Sequence, residues 1–369
     1  MRMPKYTDVV SSLPVTVPFV GPEAQERALG RPFRARIGAN ENLFGPSPKA
    51  VEAMGKAAAE CWKYGDSTSH ELREVLAEHH GVAPENILVG EGVDGLLGYL
   101  ARLVVQPGTP VVTSLGAYPT LNYHVNGFGG ILHTVPFRND AEDPEGLAAK
   151  AREVGASLVY LSNPDNPMGT WVKSERIAAM AAAMPEGCLL CLDEAYVEFA
   201  PAEAVPAIDV SDERVIRMRT FSKAYGMAGA RIGYAIGHVD LIAMFDRVRN
   251  HFGVNKIAQA GALAALRDGA YLAQIVSQVA QIVSQMAQIA EVNGLSSLPS
   301  GTNFVAIDCG RDGAFARRVL EALVADGVFV RMPFVAPQDR CIRVTAGPKA
   351  EMEIFAEALP RALKVAERG

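Results

Sequence analysis

The chain has 369 residues, 49% of them hydrophobic and 21% charged, with a formal net charge of −6. That length suits one large and one smaller domain. Its lysines and arginines are scattered, so neither a nucleic-acid face nor a polybasic membrane anchor is expected.

The first forty residues, rich in Pro and Gly, read as an extended arm carrying a short helix at 22–29. Apolar runs bounded by turn residues then predict strands at 86–89, 110–114, 130–135, 156–162, 188–193, 214–220 and 231–237. Helical segments such as "SHELREVLAEHHG" and "SERIAAMAAAMP" lie between most of them. Alternation of this kind predicts an α/β fold with a mostly parallel sheet flanked by helices. Past residue 240 the pattern changes to long helices, then "TNFVAID", "GVFVRMP" and "CIRVTAG", a smaller α+β unit. The expected division is an arm at 1–39, a large domain at 40–265 and a small domain at 266–369. Between Asp268 and Glu291 no charged residue occurs, and "AQIVSQVAQIVSQMAQIAE" repeats every seven residues, which predicts a packed helix linking the two domains.

The five dispersed cysteines (Cys61, Cys188, Cys191, Cys309, Cys341) argue for reduced thiols in a cytoplasmic protein. "CLLC" at 188–191 has metal-ligand spacing, but in a strand residues three apart face opposite sides, so it reads as core and no metal site is expected. The N-terminus is interrupted by prolines and does not read as a secretion signal, and no run reaches the length of a membrane span. "EHH" at 78–80 reads as a helix end before Gly81, where cationic side chains suit the dipole.

Three predicted strands end in polar residues: "ASLVYLS" runs into "NPDNPMGT", "CLLCLD" into "EAYVEF", and "RVIRMRT" into "FSKAYG". In an open parallel sheet those carboxyl ends share one ligand-binding edge, so Asn166, Asp193, Tyr196, Ser222 and Lys223 should converge. An amine, a strand-end carboxylate, an amide and a phenol together suit pyridoxal phosphate. The amine forms a Schiff base with its aldehyde, and the acid keeps the ring nitrogen protonated. Asn166 and Tyr196 can bond the ring hydroxyl, while Arg231 and Ser222, with amides at a helix start, can hold the phosphate. "GEGVDG" at 90–95 also spells a dinucleotide fingerprint, but no acid ends the next strand. A nicotinamide oxidoreductase is therefore the weakest alternative.

The sequence resembles the fold-type I aminotransferases, and among them the histidinol-phosphate aminotransferase family. "ANENLFGPSP", "KYGDSTSHELREVLAEHHGV", "NPDNPMGT", "LDEAYVEF", "SKAYGMAGARIGY", "TNFVAID" and "IRVTAG" follow in the family's order, nearly end to end. The resemblance implies Lys223 as Schiff-base lysine and proton shuttle, Asp193 as partner of the pyridine, and Asn166 and Tyr196 at the ring oxygen. It implies phosphate contacts from Gly92, Val93, Asp94, Ser222 and Arg231, and Tyr118 stacked on the ring. Tyr64 would cross from the neighbouring subunit of a homodimer, and Arg343, Arg331 and Asn42 would meet substrate. The implied reaction moves an amino group between a donor, histidinol phosphate or an aromatic or other amino acid, and a 2-oxo acid such as 2-oxoglutarate. A decarboxylase of amino acid phosphates and a catalytically silent cofactor-binding module are the alternatives on this scaffold. Glu91, Val93 and Gly95 replace the family's usual Asn, Ser and Glu, which puts the phosphate contacts in question. Leu43, Met168 and Met332 also depart from it and bear on substrate choice.

Overall fold

Short apolar runs closed by Gly, Pro, Asn or Asp become the strands of two units. A computed structural model describes residues 4–15 and 20–368; residues 1–3 and 16–19 of the expected arm, and residue 369, lie outside the described part. The strands are β1 (Ala35–Arg36), β2 (Ile87–Gly90), β3 (Pro110–Ser114), β4 (Ile131–Val135), β5 (Leu158–Ser162), β6 (Leu189–Asp193), β7 (Val215–Thr220) and β8 (Gly233–Gly237). The later ones are β9 (Ser296–Ser297), β10 (Phe304–Asp308), β11 (Val328–Phe329) and β12 (Cys341–Thr345).

Strands β2 to β8 form one seven-stranded sheet in the order β2-β8-β7-β6-β5-β3-β4. The pairs β7–β6, β6–β5, β5–β3 and β3–β4 are parallel, as the strand–helix alternation predicts. β8 runs antiparallel to both β2 and β7, so the sheet is mixed. The reason is local: residues 221–232 contain only a single 3-10 turn, Ala228–Ala230, too little for a crossover helix, so β8 can only return beside β7. Thr220 therefore faces Gly233, and the whole connecting loop stays at the carboxyl edge of β7.

Alternation along β6 sends Cys191 to the core beneath helix Gly92–Val104, while Cys188, Leu190 and Leu192 enter the core on the opposite face. The two thiols are thus separate core residues, and no group of metal-ligating side chains occurs among the described residues. Helix His70–His80 ends at Gly81, which takes the left-handed conformation. His80 corrects the expectation of a cationic helix end: its ring packs against Tyr234, and burial with nearby Arg219 lowers its pKa to about 3.

The smaller unit holds an antiparallel sheet β12-β10-β9 and the parallel pair β1–β11. Helix Gly269–Val292 spans the uncharged segment and buries Ile275, Val279, Met286 and Ala290, the heptad positions, against it. Ala35 and Ile37, from the arm, belong to the same core. Arg340 ties this unit to the larger one, pairing with Asp308 at 2.7 Å and with Asp140 at 2.8 Å.

Gly226, in the loop after β7, has φ +70°, and a Cβ there would lie 2.4 Å from the carbonyl oxygen of Gly45. Gly226→Ala is expected to destabilise the chain by about 2 kcal/mol or more in urea unfolding. A loss within experimental error would mean the two backbones do not need this approach.

Candidate active site

The carboxyl ends of β5, β6 and β7 deliver their polar residues to one cavity of about 120 Å³, lined by Val93, Asp94, Tyr118, Asn166, Asp193, Tyr196, Ser222, Lys223 and Arg231 among others. It adjoins a larger one of about 410 Å³, which shares Tyr118, Asn166 and Lys223 and adds Arg331 and Arg343 from the smaller unit. Nothing in the spacing of the sequence separates these two chambers.

Asp193 closes β6 and is 3% exposed. Its Oδ2 accepts from the Tyr160 hydroxyl at 2.6 Å and its Oδ1 from the backbone N–H of Ala195 at 2.9 Å. Burial outweighs these two donors and raises its pKa to about 6. The adjacent Glu194 is drawn instead to Arg217 and Arg219, so only Asp193 brings negative charge to this wall of the cavity.

Lys223 follows β7, with Nζ 3.2 Å from the carbonyl oxygen of Asn40 and 5.4 Å from the centre of the Tyr196 ring. Asn40 also donates from Nδ2 to the Tyr196 hydroxyl at 3.0 Å, while its Oδ1 accepts from Thr345 Oγ1 at 3.2 Å. Its φ of +56° is one asparagine tolerates better than most side chains. Asn42, two residues on, is the amide expected to meet substrate from this segment. The structure instead turns Asn42 onto the backbone, with Nδ2 on the carbonyl of Ala224 and Oδ1 on the N–H of Phe44, and it lines neither cavity.

At the opposite end the helix Gly92–Val104 begins, and Gly92 has φ +78° with the Arg231 guanidinium directly over its Cα. Arg231 itself adopts φ +55°, unusual for a long side chain, and reaches Ser222 Oγ at 3.3 Å and the Ala228 carbonyl at 2.8 Å. Thr220 Oγ1 donates to the same Ser222 Oγ at 2.9 Å. Asp94 lies 3.6 Å from Arg231 and accepts from the Tyr118 hydroxyl at 3.1 Å. Burial, then the Asp94 charge, pushes the Tyr118 phenol well up, so it stays protonated. Glu91 turns away, accepting from Tyr99 at 2.8 Å, and the lack of a side chain at Gly95 makes room for it. Two of the three changed positions therefore form their own contact outside the cavity, and only Val93 lines it.

Arg331 and Arg343 face one another across a two-residue antiparallel bridge. Arg343 Nη1 donates to Asn166 Oδ1 at 2.5 Å and Nη2 to the Gly38 carbonyl at 3.2 Å; Arg331 Nη2 donates to the Val20 carbonyl at 2.8 Å. The Nε of each is buried without a partner. Burial lowers the pKa of Arg343 to about 10, outweighing the nearby acidic groups. Met332 and the apolar side chains Leu115, Phe334 and Val335 complete this chamber, whereas Met168 packs on Ala306 and Cys341 behind it, and Leu43 packs against the core of the smaller unit. Tyr64 lines neither cavity of its own chain; it is exposed and stacks on Phe252 with 4.9 Å between ring centres.

Three contributors are not among the residues predicted from sequence. Tyr160 is one, although a lone tyrosine in "SLVYLS" beside a strand ending in Asp is a usable signal. Asn40 lies in "ANENLFGPSP", two residues before Asn42. Thr220 carried no signal beyond its place at a strand end.

The amine, the buried acid, the amide and the basic cup converge at the carboxyl edge of the sheet as pyridoxal-phosphate chemistry requires, and the family comparison gives the class. Residues 36–359 match the family model "Aminotransferase class I and II". A histidinol-phosphate aminotransferase of Moorella thermoacetica is 34% identical over 97% of this chain and 92% of its own length, and one of Anaeromyxobacter is 34% identical over 98% and 100%. The crystal structure of histidinol-phosphate aminotransferase from Sinorhizobium meliloti in complex with pyridoxal-5'-phosphate is 52% identical, covers 98% of both chains and superposes with a TM-score of 0.96. The chain belongs to the class I and II aminotransferases and, within them, to the histidinol-phosphate aminotransferase family.

Because the pKa of Asp193 is raised on folding, its contribution to stability is present below the ordinary aspartate range and is lost as pH rises through about 6 in the cofactor-free chain. Carbon NMR of the Asp193 carboxyl should show a midpoint near 6, and Tyr160→Phe, which removes a donor to the charged form, should move it higher still. A midpoint that stays in the ordinary aspartate range would contradict the burial argument.

Proposed function

We propose that this chain is a histidinol-phosphate aminotransferase, using pyridoxal 5'-phosphate, with 2-oxoglutarate and glutamate as the second substrate pair. One observation carries the donor assignment: Arg331 and Arg343 line the chamber beside Lys223, each with a buried Nε and neither paired with a carboxylate among the described residues. Two adjacent guanidinium groups suit a phosphate ester in one half-reaction and a dicarboxylate in the other. Leu115, Phe334 and Val335 supply an apolar wall for a ring between them.

The inner cavity fits the cofactor by the chemistry of its ends. Arg231, Ser222 and the start of helix Gly92–Val104 suit a phosphate, and Asp193 suits a cationic ring nitrogen. When bound, pyridoxal phosphate accepts the electron pair left as a proton leaves the donor's α-carbon. Every other role falls to the chain. Asp193 stays ionised opposite a cation, held by Tyr160 and the Ala195 N–H. Asn166 and Tyr196 would hold the ring oxygen, and Tyr118 would lie against the ring. Lys223, steadied by the Asn40 carbonyl, holds and moves the proton at Nζ. Arg343 and Arg331 orient the substrate anions.

Trp62, Tyr64 and Phe252 form an exposed aromatic surface, which supports a homodimer in which Tyr64 reaches the partner's phosphate cup. The free cysteines support a reducing, cytoplasmic setting. An aromatic amino acid is the second reading of the donor, favoured by the apolar wall.

With 2-oxoglutarate as acceptor, a donor panel followed by glutamate formation should give the largest kcat/KM for histidinol phosphate. A larger value for phenylalanine or tyrosine would establish the second reading, and carbon dioxide release without glutamate would overturn the reaction class. Arg343→Gln should raise KM for both substrates by about 30-fold or more, the loss of a charged hydrogen bond in a buried site. An unchanged KM would remove Arg343 from substrate binding.

A further inference from the structure

Behind the cavity wall the fold buries two carboxyl groups that the reaction does not use. Glu142 and Asp165 are 2% and 1% exposed. Glu142 Oε1 accepts from the Ser162 N–H at 3.0 Å, and Oε2 accepts from Ser114 Oγ at 2.6 Å, so Glu142 joins the ends of β5 and β3. Asp165 Oδ2 accepts from the Met168 N–H at 2.9 Å, while its own N–H and carbonyl pair with Thr170 at 2.9 Å and Gly169 at 3.0 Å. Asp165 thus shapes the turn 165–170, and Asn166 is that turn's next residue. The remaining oxygen, Asp165 Oδ1, is buried with no hydrogen-bond donor, and the Glu142 and Asp165 side chains lie within hydrogen-bonding reach of one another. Two carboxylates cannot both stay ionised at that range away from water. Arg343 is the cation facing Asp165, and its guanidinium bonds go to Asn166 and Gly38. Tyr160 is the other titratable group near Glu142, and its hydroxyl is committed to Asp193.

We propose that Glu142 and Asp165 share one proton, Glu142 donating to Asp165 Oδ1, and that this bond fixes the turn that aims Asn166 into the active site. They are positioning residues: neither touches substrate or cofactor, and both act through Asn166 and the Arg343 guanidinium bonded to it. Asp165, with its backbone donors and Arg343 nearby, carries the single charge, and Glu142 keeps the proton. Burial, then the charge of Asp165, pushes the Glu142 carboxyl well up, in agreement with that assignment. A group with a raised folded-state pKa stabilises below its ordinary range, and that contribution disappears as pH rises through the raised value. The shared proton should therefore set an alkaline limit on both stability and substrate binding.

The effect on catalysis rests on the roles given above to Asn166 and Arg343; the effect on stability does not. The test compares wild type, Glu142→Gln and Glu142→Leu in two assays on the holoenzyme. Gln keeps every bond, since its amide can donate to Asp165 and Ser114 can turn its hydroxyl round, yet it cannot lose a proton. Urea unfolding between about pH 6 and 10 should show wild type losing stability as pH rises while Glu142→Gln loses less. Parallel pH slopes, or a Glu142→Gln chain that fails to fold, would overturn the shared proton. In turnover assays at neutral pH, Glu142→Gln should stay within about threefold of wild type and Glu142→Leu should raise donor KM about tenfold or more. Glu142→Leu matching Glu142→Gln in KM would overturn the positioning role while leaving the proton itself to the stability assay. If Glu142→Leu does not fold, Asp165→Ala takes its place with the same two outcomes.

Discussion

A carboxylate buried at the end of a central strand is the constraint from which the rest of the site follows. Asp193 lies at the end of β6, flanked by β5 and β7, where its ionised form is costly unless a cation lies opposite it. One phenol and one backbone N–H are its donors, too few to hold it in the ordinary aspartate range. A protonated ring nitrogen of a bound cofactor would supply the missing charge, and Asp193 would in turn hold that proton in place. The wall would then become favourable on cofactor binding.

The second constraint is the short return from β7 to β8. Because no crossover helix fits between them, the twelve residues 221–232 fold back on themselves at the sheet edge. Lys223 and Arg231, eight positions apart in sequence, are thereby brought to one cavity, the amine on its floor and the guanidinium over the start of a helix. Gly226 lets the loop approach the backbone of Gly45, and Gly92 leaves room for the Arg231 guanidinium. Within "SKAYGMAGARIGY", Gly226 and Gly233 lie where a side chain would collide with the backbone of Gly45 and of Arg219.

Much of this was legible before the fold was known. The seven strands of the large sheet and their polar ends could be read because apolar runs and turn residues encode them locally. The direction of β8 was not predicted, although the short stretch before it leaves no room for a crossover helix. Among site residues, strand-end positions such as Asp193, Asn166 and Lys223 were visible, whereas Asn40, Tyr160 and the Glu142–Asp165 pair work through neighbours far away in sequence. Asn42 shows the converse: a motif named the right segment, and only the backbone conformation at Asn40 decided which amide faces inward. The substituted positions Glu91 and Gly95 looked like damage to a phosphate loop and are a matched pair, side chain and vacated space.

Between the Asp193 wall and the Arg231 cup, the amine of Lys223 is the group expected to bind the cofactor aldehyde. Borohydride reduction of the purified enzyme, followed by peptide mass mapping, tests it most directly. The reduced cofactor's mass is expected on the peptide containing Lys223 and on no other lysine. Label on a different lysine, or none on an enzyme that still turns over, would contradict it.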